Sequence, residues 1–149
     1  MKVYLGSDHA GFYLKEKVFA HLSKAGYDVE DVGDKQLDPA DDYPQFAYAL
    51  TTKILGDEDN DARGILLCGS GQGMCIAANR VRGIRASLCW DETSARETRN
   101  DNDSNVLCIP ARMLEDDQSL AIIDIWLETP FSNAPRHARR LHEIEELYG

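Results

Sequence analysis

Cys68-Gly69-Ser70-Gly71-Gln72-Gly73-Met74 sets a thiol immediately before three glycines in five residues. Glycines at that density let a backbone approach a ligand closely, and free amides at a helix start favour an anion. The stretch does not end in Gly-Lys-Ser/Thr, which argues against a nucleoside triphosphate. Nor does Gly69-x-Gly71-x-Gly73 have the GxGxxG spacing of a dinucleotide fingerprint. Two readings stand: a small oxyanion or phosphate cradle beside a thiol, or a tight turn with a buried cysteine. Cys68 divides the same way. It is either a small core residue at a strand end, or a thiolate stabilised by helix-start amides and usable as a base or nucleophile.

Asp8 and His9 stand side by side early in the chain, a carboxylate and an imidazole suited to proton transfer or polar substrate contacts. The plainer reading is that Ser7 or Asp8 caps a helix. His21 is expected mid-helix and exposed, and His142 sits among Glu143, Glu145 and Glu146.

Positive charge is scarce and therefore informative. Against 26 Asp and Glu there are 16 Lys and Arg, a net charge of −10, yet three arginines fall within Arg136-His137-Ala138-Arg139-Arg140. On a helix Arg136 and Arg140 share a face, where two guanidinium groups can grip one phosphate while Arg139 points to solvent. The alternative is an exposed cluster paired with nearby glutamates. Arg112 is a further candidate anion contact. The acidic balance argues against nucleic acid as partner.

No apolar run approaches the ~18 residues of a membrane span, and Lys2 and Asp8 leave no room for a signal peptide. The cysteines at 68, 75, 89 and 108 lack CxxC spacing, which argues against a zinc site or a disulfide framework. Reduced thiols in a cytoplasmic protein without a metal are the expectation, with Cys75, Cys89 and Cys108 in the core.

The elements that must position these residues alternate. Apolar strand patterns occupy 2–6, 27–32, 64–68, 84–89 and 105–109. Helical spacing marks 12–25, 43–55, 72–80, 92–99, 116–127 and 135–148, with Gly26 stopping the first helix and Asp41 or Asp42 capping the second. With no repeat or linker, one domain over 1–149 is expected. Strands separated by helices predict a parallel sheet covered on both faces, its ligand beyond the carboxyl ends of the strands. That rule directs attention to 7–11, 33–44, 68–73, 90–93 and 110–113.

Read together, these residues match a family. Gly6-Ser7-Asp8-His9-Ala10-Gly11, Asp42-Tyr43-Pro44, the 68–74 loop with Ile76-Ala77-Ala78-Asn79-Arg80, and Asn102-Asp103-Ser104-Asn105-Val106 follow in order, with Arg112 and Arg136-His137 beyond. Over nearly its whole length the chain resembles the ribose-5-phosphate isomerase type B family, which includes galactose-6-phosphate isomerase subunits.

The resemblance implies an α/β, Rossmann-like three-layer sandwich with a five-stranded parallel sheet and a C-terminal helix. It also implies a metal-free, cofactor-free aldose–ketose isomerase interconverting ribose 5-phosphate and ribulose 5-phosphate through an enediolate, in a homodimer or tetramer with sites at the subunit interface. Carried over by position, Cys68 is the base, and Ser70 with the amides of Gly69, Gly71 and Gly73 holds the enediolate oxygens. Asp8 and Tyr43 contact hydroxyls, with Asp8 able to help proton traffic; His9, Arg136 and Arg140 bind phosphate; Asn102 and Arg112 complete the pocket. Some members use a carboxylate just after the glycine loop, where this chain has Met74, so Cys68 is the better base. Many members carry a ring-opening histidine where this chain has Asp101. Asp101 with a shifted pKa, His9 or spontaneous opening is then left for that step. The same departure admits a different sugar phosphate as substrate, or a non-catalytic sugar-phosphate-binding subunit.

Overall fold

In the computed structural model, which describes residues 1–149, five strands alternate with six helices. The strands are β1 Lys2–Ser7, β2 Asp28–Asp31, β3 Arg63–Cys68, β4 Ala86–Leu88 and β5 Val106–Pro110. The helices are α1 Phe12–Lys24, α2 Tyr43–Gly56, α3 Gln72–Asn79, α4 Glu92–Asn102, α5 Asp116–Glu128 and α6 Pro135–Tyr148. All strand pairs are parallel, in the order β2-β1-β3-β5-β4.

Strand alternation sorts the core into two. Val3, Leu5, Ile65, Leu67, Leu107 and Ile109 point to one face, under α1 and α5. Tyr4, Leu66, Cys68, Val106 and Cys108 point to the other, under Leu50 and Ile54 of α2 and Met74 and Ala78 of α3. A strand buried on both faces must be apolar at consecutive positions, which explains the unbroken runs of β3 and β5. Trp126 of α5 is fully buried, its indole N–H donating to Ser104 Oγ at 2.9 Å. No helix is long and apolar enough to cross a membrane.

Element boundaries depart from expectation where side chains replace backbone bonds. β4 begins at Ala86 because the Arg85 amide donates to Asn105 Oδ1 at 2.7 Å and the Ala86 amide to Asn79 Oδ1 at 2.8 Å. α4 runs on to Asn102, three residues past the expected end, and stops at Asp103, whose φ of 46° is left-handed. Buried Arg99 holds that end, donating to Asp103 Oδ1 at 2.9 Å and to the Ser104 carbonyl at 2.6 Å. α1 ends at Lys24, just before Gly26 with φ 94°, as expected.

The chain leaves β1 for β2 on one side and then for β3 on the other. The carboxyl ends of β1 and β3 therefore border the point where strand order reverses, the usual seat of a ligand in open α/β sheets. Ser7-Asp8 and Cys68-Gly69 lie there.

Candidate active site

Cys68 closes β3 with its side chain on the α2–α3 face, 5% exposed. The Gly71 and Met74 amides donate toward its sulfur and lower its pKa, but burial outweighs them and Asp8 adds repulsion, so the thiol is raised above its ordinary value. The expectation of a thiolate already stabilised at rest is thereby corrected: the amide cradle exists, but the apolar wall behind the sulfur dominates. A raised pKa makes Cys68 a stronger base once ionised and a scarcer one at neutral pH.

The loop geometry depends on two glycines. Gly71 precedes α3 with φ 76°, and a Cβ there would lie 2.5 Å from Leu88 Cδ1. At Gly73 a Cβ would lie 2.5 Å from Tyr43 Cζ, so its absence lets the Tyr43 ring rest on the first turn of α3. Ser70, exposed, accepts the Gln72 amide at 3.4 Å. The Ala111 amide donates to the Cys68 carbonyl at 2.8 Å, and the Arg112 amide to the Gly69 carbonyl at 3.0 Å. Those two bonds bring the Arg112 side chain over Gly69.

From β1, the Asp8 amide reaches across to the Leu67 carbonyl at 3.3 Å. Asp8 Oδ1 caps the 3₁₀ turn His9–Gly11 through the Ala10 and Gly11 amides, at 3.0 and 3.3 Å. The capping reading of Asp8 is therefore correct for one of its oxygens. His9 Nδ1 meets Asp41 Oδ1 at 2.8 Å, and the Asp41 side chain is 6% exposed. This overturns the capping expectation for the second helix. Asp42 holds the cap position but makes no capping bond, and Asp41 has turned to the imidazole. Asp41 is thus a site residue that pattern reading missed. The available signal was the doubled aspartate, since one helix start uses one cap.

Thus Asp8, His9, Tyr43, Cys68, Gly69, Ser70, Gly71, Gly73 and Arg112 gather at the carboxyl ends of β1 and β3. Asp101, Asn102, Arg136 and Arg140 do not join them. α4 starts at the carboxyl end of β4 and runs back along the sheet for about 15 Å, at 1.5 Å per residue. Its last residues lie at the amino end, where Arg85 Nε donates to the Asn102 carbonyl at 3.0 Å. α6 packs against α4 there, and His137 Nε2 lies 3.6 Å from Asp101 Oδ1. Arg136, Arg139 and Arg140 are all exposed, so helical spacing separates none of them from solvent in the single chain. The candidate residues thus fall into two groups at opposite ends of one sheet.

The other thiols and histidines fall elsewhere. Cys89 and Cys108 are core residues, whereas Cys75 is only half-buried and pairs with the Cys108 thiol, which lowers its pKa and raises that of Cys108. His21, expected to be exposed, is half-buried against Asp124 at 2.8 Å, joining α1 to α5. His142 pairs with Glu146 at 3.0 Å.

Comparison with known proteins agrees with this geometry. Residues 3–144 match the model of a family described as Ribose/Galactose Isomerase. The chain is 44% identical over 146 residues to ribose-5-phosphate isomerase B of Mycolicibacterium paratuberculosis, covering 98% of this chain and 91% of that protein. The structure of ribose-5-phosphate isomerase B from Clostridium thermocellum superposes with a TM-score of 0.93 at 40% identity, covering 99% and 97% of the two chains. The Mycoplasma genitalium enzyme with bound ribulose 5-phosphate gives a TM-score of 0.93 at 36% identity, covering 97% and 94%. In sequence, topology and the arrangement of its glycine loop, the chain belongs to the ribose/galactose isomerase family of aldose–ketose isomerases.

Proposed function

We propose that this isomerase interconverts ribose 5-phosphate and ribulose 5-phosphate, in a homodimer where the Cys68 half-site of one copy meets the Asp101 half-site of the other. The observation that carries the reading is Cys68 at the end of β3, beside the glycine loop that opens α3 at the switch point of the sheet. The polarity of α4 supports the pairing of two copies, because no single chain brings both halves together.

Cys68 as thiolate takes the proton from C2, and the C2–H electron pair becomes the C1=C2 bond while charge moves onto O1. The same proton, or one from solvent, is returned to C1 as the O2 proton passes to O1 and C2 becomes the carbonyl. C1 is reduced and C2 oxidised, with no external electron acceptor. Charge develops on the two oxygens, so donors fixed beforehand lower the barrier most. Ser70 and the amides of Gly69, Gly71 and Gly73 are those donors. Asp8 and Tyr43 meet substrate hydroxyls, and His9, Arg136 and Arg140 hold the phosphate. Asn102 and Arg112 close the pocket, and Asp101 opens the furanose ring. Four cysteines with no disulfide among them support a cytoplasmic location.

A second reading, with a hexose 6-phosphate or another pentose phosphate as substrate, rests on Asp101. Incubation in deuterated water with a panel of aldose phosphates separates the two, read as loss of the C2 proton signal. Exchange strongest with ribose 5-phosphate supports the first reading, and exchange confined to another sugar overturns it. If Cys68→Ala exchanges as fast as the unaltered enzyme, Cys68 is not the base.

A further inference from the structure

Asp101 is not alone at the amino end of the sheet. Its carboxylate is about half exposed, whereas the His137 side chain 3.6 Å behind it is only 8% exposed. Ser132 Oγ lies 2.7 Å from the other imidazole nitrogen, Nδ1. The Ser132 hydroxyl is itself fixed: its oxygen accepts the Ala134 amide at 3.1 Å, while the Ser132 amide donates to the Asn100 carbonyl at 3.1 Å. A carboxylate can only accept, so the favourable neutral tautomer carries its hydrogen on Nε2, facing Asp101. That tautomer needs a donor at Nδ1, and the Ser132 hydroxyl is there to supply it. On the near side, Asn100 Nδ2 donates to Asp101 Oδ1 at 2.7 Å. Asp101 is thus a carboxylate bonded by Asn100 and backed by the His137 imidazole at 3.6 Å, with its open side to solvent.

We propose that His137, oriented by Ser132, is the positioning residue that makes Asp101 a working acid–base group for opening the sugar ring. This rests on the reading of the protein as a ribose 5-phosphate isomerase. An ionised carboxylate is a poor donor at neutral pH, but it does not have to donate first. Asp101 takes the proton of the anomeric hydroxyl. The O1–H pair forms the C1=O1 bond, the C1–O4 bond breaks with its pair going to O4, and Asp101 returns the proton to O4. The carboxylate ends as it began and nothing is oxidised or reduced. His137 keeps the carboxylate aimed through both transfers.

The chemistry of the two sugars provides the test. Ribose 5-phosphate closes a ring through O4. Ribulose 5-phosphate cannot form the five-membered ring, because the oxygen it would use carries the phosphate. Turnover of ribose 5-phosphate therefore needs ring opening, whereas exchange of the C1 proton of ribulose 5-phosphate with solvent deuterium does not. Both rates are measured at saturating substrate for the whole enzyme and for Asp101→Asn, His137→Leu, His137→Gln and Ser132→Ala.

The expected result is a fall of about ten-fold or more in the ratio of turnover to exchange for Asp101→Asn and His137→Leu, within the range a positioned acid–base group contributes. A smaller fall is expected for Ser132→Ala. Partial recovery is expected in His137→Gln, whose amide places an N–H near the position of Nε2. An unchanged ratio in the His137 variants overturns the proposal. Equal loss of both rates, or a higher KM for both sugars, also overturns it and assigns His137 to the phosphate grip or to the fold. If the unaltered enzyme neither turns over ribose 5-phosphate nor exchanges ribulose 5-phosphate, the underlying isomerase assignment fails and this inference falls with it.

Discussion

His9 and Asp41 are bonded at 2.8 Å across the mouth of the site, and the aspartate's side chain is buried while the imidazole's is one-third exposed. A buried carboxylate at Nδ1 fixes the ring and leaves Nε2 as the nitrogen free to meet a phosphate. Asp41→Asn removes that charge and retains the shape. KM for the sugar phosphate is expected to rise roughly ten-fold with a smaller change in kcat, the size of loss common for an orienting partner. Steady-state kinetics beside an unchanged circular dichroism spectrum check this. A fall in kcat at constant KM would assign Asp41 to the chemical step instead.

Gly73→Ala tests the contact between the α3 start and Tyr43. The new methyl collides with a ring that is itself 39% exposed, so the ring swings away and the fold survives. A fall in kcat/KM of roughly ten-fold is expected, about 1.4 kcal/mol, with only a small change in melting temperature. Once Tyr43→Ala is present, Gly73→Ala should cost little more. Such non-additivity is what a double-mutant cycle reports for residues in contact. Additive losses would show that the two act independently.

The pH dependence of turnover follows from the Cys68 environment. As the proposed base, Cys68 must be deprotonated to act, and burial raises its pKa above the ordinary cysteine value. In the free enzyme, kcat/KM is therefore expected to climb about ten-fold per pH unit from neutrality into the alkaline range, where it levels off. The thiolate absorbance of the unliganded protein should appear over the same interval and vanish in Cys68→Ser. A limb that levels off below pH 7 would mean that another group is the base.

Arg99 carries a stability prediction. It is 3% exposed and donates to the Thr129, Ser104 and Asp103 oxygens, binding the end of α4 to the start of β5 and to the segment leading to α6. Arg99→Leu keeps bulk but strands those acceptors, at a cost of about 2–4 kcal/mol. Thermal unfolding is the measurement. A shift of only a degree or two would show that water replaces the guanidinium without penalty.

Much of this was readable from the residues. All five strands and six helices were visible because buried strands and amphipathic helices have different apolar periods. The ends of β4 and α4 were not. There Asn79, Asn105 and Arg99 bond to backbone from distant parts of the chain, and no local pattern encodes that. Cys68 and the glycine loop were legible as a cradle, yet the direction of the thiol's shift depends on how deeply α2 and α3 bury it. Asp41 was missed for a similar reason: its partner lies 32 residues away, so its choice between a helix cap and an imidazole is a tertiary one. The separation of Asp101 from Cys68 was equally hidden, since spacing along the chain does not reveal which end of the sheet a helix terminus reaches.

Subunit mixing tests how the halves combine. Cys68→Ala spoils one half-site and the paired change Arg136→Ala with Arg140→Ala the other, so each homodimer is expected to be nearly inactive. After exchange of subunits in an equal mixture, half of the dimers are mixed, and each of those has one intact site. Activity of about a quarter of the unaltered enzyme is expected. No recovery would place both halves of each site in one chain, against the course of α4.

Because α4 runs antiparallel to the strands, each chain presents a thiol at one pole and a carboxylate at the other. In the proposed dimer such a catalyst responds to its own concentration: near the dissociation constant, specific activity falls with dilution while each folded chain is unchanged. Turnover measured across a dilution series would then trace the association curve, and substrate, which touches both copies at once, would act as a dimerising ligand.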